Sequence, residues 1–153
     1  FHKKERRGRS AALNIVITET GADKAIAQVL PELKGKLTAN AVRVPTPNVS
    51  LAIMKLELGV DLELENLNLF LRQKAFHSEY KNQIGYTNSP EVVSSDFVGN
   101  THAGIVDSAA TIVNGKNCVI YVWYDNEFGY TAQLLGVAKE MVGLTYKRYP
   151  KFD

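Results

Sequence analysis

The chain has 153 residues, 45% hydrophobic and 22% charged, with one cysteine and a formal net charge of +2. That length suits a single domain, which buries roughly 70% of its unfolded surface and needs no staple. No apolar run reaches the length of a membrane span, no secretory h-region follows the basic start Phe1-His2-Lys3-Lys4-Glu5, and a lone cysteine excludes an internal disulfide.

Residues 1–12 read as an irregular basic loop, in which Lys3, Lys4, Arg6, Arg7 and Arg9 stand against Glu5, a local +4 that leaves −2 elsewhere. Such an arm can meet nucleic acid, a membrane surface or an anionic ligand, or simply be solvated. No aromatic side chains interleave with these charges and no RNA-binding signature follows, so neither nucleic acid nor a membrane is the expected partner. A β-branched alternation predicts a short strand over 13–18. Ala22, Ala25, Ile26, Val29, Leu30 and Leu33 fall at helical spacing and predict a helix over 22–33. Thr20 is its expected N-cap, Asp23 completes an approximate capping box, and Pro31 is expected to end it early. Strands follow over 37–44 and 49–58, with Pro45 and Pro47 in the connection. A second helix over 63–80 carries Leu64, Leu67, Phe70, Leu71 and Ala75 on one side. Residues 84–100 are loop-rich, with strand pieces at Ile84-Gly85-Tyr86 and Glu91-Val92-Val93. Residues 104–113 and 118–124 form a hairpin through Asn114-Gly115-Lys116. A last helix over 130–144 presents Leu134, Val137, Ala138, Met141 and Val142 as its buried stripe, and 146–153 is a polar and aromatic tail.

Strands joined by hairpins, with helices interspersed and no βαβ rhythm, predict an α+β fold: a mostly antiparallel or mixed sheet with helices packed on one face. There is no Gly-x-Gly-x-x-Gly and no Walker-type loop, so this chain cannot supply a Rossmann dinucleotide site by itself.

Some residues could carry chemistry. Thr20-Gly21 opens a helix, where unpaired N–H groups and a partial positive charge can hold a phosphate, although any capped helix start looks similar. Arg43 is a lone charge among Ala41, Val42 and Val44; it is either an ion-paired or snorkelling strand residue or a bidentate phosphate grip. The run from Val119 to Tyr130 starts apolar and aromatic, then turns polar at Asp125-Asn126-Glu127. It is either a strand running into a capped helix or the polar edge of a pocket. Asn126 offers an amide donor and acceptor in one plane, while Asp125 and Glu127 read as structural hydrogen-bonding residues. Tyr130 is either a packed core ring or a contact. Cys118 reads as a small buried hydrophobe rather than a nucleophile, because no His or helix start lies beside it in sequence. His2, His77 and His102 lack metal-ligand spacing, so no metal site is expected.

Several segments occur together and in order: Thr20-Gly21-Ala22 with Lys24-Ala25, Pro31-Glu32-Leu33-Lys34-Gly35-Lys36-Leu37-Thr38, Arg43-Val44-Pro45-Thr46-Pro47-Asn48-Val49-Ser50, Val92-Val93-Ser94-Ser95-Asp96-Phe97, and Trp123-Tyr124-Asp125-Asn126-Glu127-Phe128-Gly129-Tyr130. Together they resemble glyceraldehyde-3-phosphate dehydrogenases, from His2 to about Met141. The resemblance implies a two-layer α+β catalytic domain over 13–145, preceded by the basic loop 1–12 and followed by the tail 146–153. It implies that Thr20 and Gly21 bind inorganic phosphate and that Arg43 contacts the phosphate of glyceraldehyde 3-phosphate. Arg7 resembles a further arginine near the anion sites. The resemblance implies further that Asn126 orients the nicotinamide amide of NAD and that Tyr130 lines the same region. The family's reaction is implied too: a cysteine thiolate attacks the aldehyde, hydride passes to NAD, and phosphate releases the acyl phosphate from the thioester. The family's Cys-Thr-Thr-Asn-Cys motif and activating His precede the basic loop and are not in this sequence. The chain is therefore expected to be a C-terminal part that is inactive alone, with no catalytic residue of its own, from a cytoplasmic homo-oligomeric enzyme. Ile17 replaces a usual Pro, Glu19 sets a carboxylate beside the phosphate loop, and Ala103-Gly104 stands where a Ser pair is common. The alternatives are a relative acting on erythrose 4-phosphate and a non-catalytic assembly or binding module with the same fold.

Overall fold

A computed structural model describes residues 6–9 and 13–144. The tail 146–153 and most of the basic loop 1–12 lie outside the described residues, apart from a 3₁₀ turn at Arg6–Gly8. The chain divides into two compact units, Phe1–Pro47 and Asn48–Asp153. Both combine strands with helices, so the fold is α+β, as the alternation of hairpins and helices predicts.

In the first unit, β1 (Val16–Glu19) and β2 (Asn40–Arg43) form an antiparallel ribbon. Val16 faces Arg43 and Glu19 faces Asn40. The strand expected over 13–18 starts later and ends later, because β2 offers no partner beyond Arg43; Leu13 is left 84% exposed. Val16 and Thr18 are buried, while Ile17 and Glu19 point to the open side. Helix α1 (Ala22–Val29) stops where Pro31 removes the next N–H, and a 3₁₀ turn at Pro31–Leu33 completes the segment. The capping box does not form. Gly21 occupies the cap position without a side-chain bond, and the Thr20 hydroxyl accepts from Ala22 N–H at 3.3 Å.

In the second unit, β3 (Ser50–Glu57), β4 (Ile84–Thr87), β5 (Gly104–Asn114) and β6 (Asn117–Tyr124) form a four-stranded sheet in the order β3-β6-β5-β4. Only the β4–β5 pair is parallel, so the sheet is mixed. The β5–β6 hairpin turns through Gly115 and Lys116, and Gly115 at the first loop position takes φ 58°, which a side chain disfavours. The turn is docked as well: Leu62 N–H donates to the Gly115 carbonyl and Leu58 N–H to that of Lys116.

Helix α2 (Leu64–His77) covers one sheet face. Leu67 packs with Val106, Cys118 and Ile120, and Leu56, Leu71 and Ile84 extend this core. Neighbouring residues on β5 alternate sides, so Ile105 joins Val49 and Phe97 in a second core on the other face. The strand piece expected at Glu91-Val92-Val93 is a turn leading into a 3₁₀ helix at Ser94–Phe97. The Ser89 hydroxyl captures Glu91 N–H at 3.3 Å and Asp96 captures Val93 N–H at 2.7 Å, which withdraws both from strand pairing.

Helix α3 (Phe128–Met141) departs furthest from its expected packing. Only Gly129 is buried. The stripe read as core is open to solvent, with Leu134, Val137 and Val142 exposed and Met141 at 82%. The helix is held through its start instead. Gln133 donates to the carbonyls of Thr101 at 2.8 Å and Asn82 at 3.2 Å. Gly129 lies so close to the loop that an added Cβ would sit 2.6 Å from the His102 carbonyl oxygen.

Candidate functional site

The first unit carries two groups suited to anions. Thr20 and Gly21 sit where β1 hands over to α1, and the first helical bond runs from Ala25 N–H to the Gly21 carbonyl at 3.0 Å. The N–H groups of that first turn therefore lack intrahelical partners and carry the helix's partial positive charge. An added Cβ on Gly21 would meet nothing within 4 Å, so the backbone there is approachable. Arg43 ends β2 at the opposite end of the ribbon, with an exposed side chain. The register puts three residue levels, about 10 Å of strand rise, between the Arg43 pair and the Glu19 pair. Thr20-Gly21 and Arg43 are thus two positions along one ribbon rather than one cluster. The Glu19 side chain lies on the exposed face of the ribbon. Arg7 falls in the turn Arg6–Gly8, and its side chain lies outside the described residues.

The second unit carries Asn126 and Tyr130. Strand β6 ends at Tyr124, and the chain turns into α3 through Asp125, Asn126 and Glu127. Asp125 is the organising residue. It is 3% exposed and its carboxylate collects four hydrogen bonds. Oδ2 accepts from Gly99 N–H at 2.9 Å and Asn48 Nδ2 at 3.1 Å. Oδ1 accepts from Phe128 N–H at 2.9 Å and Glu127 N–H at 3.1 Å, which caps the start of α3. The Gly99 and Phe128 amides, helped by Glu127 and Asn48, hold its carboxyl below the usual carboxylate range against an opposing desolvation.

Asn126 follows with its side chain exposed, and its Oδ1 accepts from the Ser50 hydroxyl at 3.4 Å. Among the described residues its Nδ2 makes no hydrogen bond, which leaves an amide donor open to a ligand acceptor. Tyr130 stands in the first turn of α3, 69% exposed, and not as a core ring. Before Asn126, Trp123 donates from Nε1 to Asp107 Oδ2 at 3.0 Å and stacks on Phe97 at 5.6 Å, which fixes the end of β6.

Asn48, Ser50 and Gly99 emerge only in the structure. Their contacts bridge 77, 76 and 26 residues of sequence, and the sole local hint was a pair of hydrogen-bonding side chains flanking Val49. Cys118 is buried at 2%, and burial pushes its thiol up, so it is no nucleophile. His102 is tied through Nδ1 to Asn100 Oδ1 at 2.9 Å, and His77 lies exposed at the end of α2. Among the described residues no group of His, Cys, Asp and Glu is placed to hold a metal ion, and no helix is long and apolar enough to cross a membrane.

Residues 1–126 match the family model described as glyceraldehyde 3-phosphate dehydrogenase, C-terminal domain. A glyceraldehyde-3-phosphate dehydrogenase-like protein of Pseudomonas aeruginosa is 56% identical over 99% of this chain and 33% of its own length. Glyceraldehyde-3-phosphate dehydrogenases of Priestia megaterium and Bacillus subtilis are 45% and 44% identical, each over 90% of this chain and 41% of their own length. The chain thus spans about a third to two fifths of the length of these relatives.

Proposed function

The chain belongs to the glyceraldehyde 3-phosphate dehydrogenase C-terminal domain family, and from that membership we propose that it forms the phosphate- and nicotinamide-recognising part of an NAD-dependent, phosphorylating glyceraldehyde-3-phosphate dehydrogenase. What carries the reading is that a single family match takes in Thr20, Gly21, Arg43 and Asn126 together. In this reading residues 13–145 are that domain, 1–12 the basic loop before it and 146–153 its tail.

The two anion positions suit two different phosphates. Thr20 and Gly21 bring backbone N–H groups and a hydroxyl to inorganic phosphate, where the helix start favours negative charge. Arg43 brings a guanidinium to the phosphate of the aldehyde substrate, with two parallel N–H···O bonds available. NAD, when bound, supplies the hydride acceptor. The residues present fit it in one respect that the geometry makes testable: Asn126 has an open amide donor for the carbonyl of a carboxamide. Holding that carboxamide fixes which ring face meets the substrate. Tyr130 lines the same region. Cys118, being buried, takes no part, so the thiolate and its activating histidine are assigned to other parts of the whole protein. The same reading makes that protein a cytoplasmic homo-oligomer.

The test uses the full-length protein containing these residues. Phosphate-dependent NAD reduction with glyceraldehyde 3-phosphate is expected. Its absence overturns the proposal, and a preference for erythrose 4-phosphate redirects it to that relative. Arg43→Ala is expected to cost about 2 kcal/mol in kcat/KM, roughly thirtyfold, with the phosphorylated aldehyde and much less with unphosphorylated glyceraldehyde. Equal losses on both substrates would make Arg43 structural.

A further inference from the structure

Two side chains on the lead into β3 grip two consecutive residues of the β6–α3 turn. Asn48 donates to Asp125 Oδ2 at 3.1 Å, and Ser50 donates to Asn126 Oδ1 at 3.4 Å. Between them stands Val49, whose φ is 72°. It is the only non-glycine with positive φ among the described residues. A β-branched residue in that region is a backbone outlier, and such strain persists only where the surroundings over-determine it. Here they do: the Val49 side chain is buried against Phe97 and Ile105, and its two neighbours are tied to the turn. A strained residue held between two contacts to one turn marks a segment whose job is to present that turn.

The two grips differ in kind. The Asn48 contact, with the Gly99, Glu127 and Phe128 amides, fixes the backbone on either side of Asn126. It does not set the rotation of the Asn126 amide. An exposed carboxamide turns about its last bond, so that without a tether its donor and acceptor point in no fixed direction. The Ser50 hydroxyl is the group that holds this rotation, because it ties one end of the amide to the start of β3. By donating to Oδ1 it engages the oxygen and leaves Nδ2 outward. Ser50 can do so from a fixed place, because it opens β3 and pairs with Tyr124, two residues before Asn126.

We infer that Ser50 is a positioning residue that holds the Asn126 amide at one rotation, so that its outward end is aimed at the carboxamide of a ligand. The inference rests on the reading of Asn126 as the group that meets the nicotinamide carboxamide. Ser50 touches neither ligand nor substrate in this scheme; it acts through Asn126.

The experiment uses the full-length protein and a pair of variants matched in shape. Ser50→Thr keeps the hydroxyl and Ser50→Val removes it, and both side chains suit a strand. Ser50→Thr is expected to behave as the parent. Ser50→Val is expected to raise the KM for NAD roughly three- to tenfold, the range of one modest hydrogen bond, while kcat changes less than twofold. With deuterated substrate, part of its label should appear on the opposite face of the reduced ring, which a loss of folding stability alone does not produce. Asn126→Ala should be at least as impaired, and Ser50→Val should add nothing in its background. Equal impairment by Thr and Val would show that shape matters and not the hydroxyl, and would overturn the inference. So would an effect of Ser50→Val that survives unchanged when Asn126 is already alanine. If Asn126→Ala is impaired and Ser50→Val is not, the role of Ser50 falls and the reading of Asn126 stands. If neither variant affects NAD, the reading of Asn126 falls and takes the inference with it.

Discussion

Asp125 receives donors on both carboxylate oxygens, and among the described residues no contact asks it to donate. Asn cannot replace it without turning an NH₂ group toward donors on one side. Asp125→Asn is therefore expected to lower the melting temperature and to raise amide exchange at Gly99 or Phe128. The pH dependence follows from the same contacts. A carboxyl held below its unfolded value of about 3.9 contributes stability that is fully present above that pH and is lost as pH falls through the lower folded value. The parent should lose melting temperature on acidification below about pH 4, and Asp125→Asn should show a shallower fall over that window. An identical acid profile in both proteins would remove Asp125 from the account. The sequence singled out Asp125 as structural and Asn126 as the recognition group, because turn chemistry and the resemblance are local. It could not show Ser50 or Asn48, because their partners are distant in the chain and no periodicity encodes a side-chain hydrogen bond.

Elements were legible to the extent that their own residues decide them. Pro31 ends α1, and Gly115 makes the β5–β6 turn, each by backbone sterics that act within a few residues. Where a partner decides, the reading slipped: β1 follows the register of β2 rather than its own alternation. Helix α3 shows the sharpest divergence, since helical spacing announces an apolar face without saying what covers it. Two glycines of this helix separate docking from propensity. Gly129→Ala drives a Cβ to within 2.6 Å of a backbone carbonyl, whose displacement outweighs the gain in helix propensity, and a net loss of ~1–2 kcal/mol is expected. Gly136→Ala meets nothing within 4 Å in the same helix and is expected to stabilise by ~0.5–1 kcal/mol. Urea denaturation of both variants checks the opposite signs. A loss at Gly136 or a gain at Gly129 would mean that α3 is not held as described.

At the scale of the molecule, the chain divides into two compact units on either side of Pro47. The chain matches relatives of which it spans a third to two fifths, and helix α3 leaves an apolar face uncovered. The class of fold was readable because hairpin spacing and helical periodicity are properties of the whole string. Division between units was not, because it depends on which contacts form and not on any marker other than the two prolines near the boundary.

The burial of Cys118 turns the chain into its own reporter. A thiol reagent in solution reaches Sγ only when α2 lifts from the sheet or the strands part, and there is one such atom per chain. Mass spectrometry of the peptide that carries Cys118, after timed labelling, then follows the fraction of molecules that have exposed this core. Labelling should be slow in native buffer and should accelerate with urea in step with the loss of the fold. Labelling at the rate of a free thiol before unfolding would show that the core around Leu67, Val106 and Ile120 does not close over it.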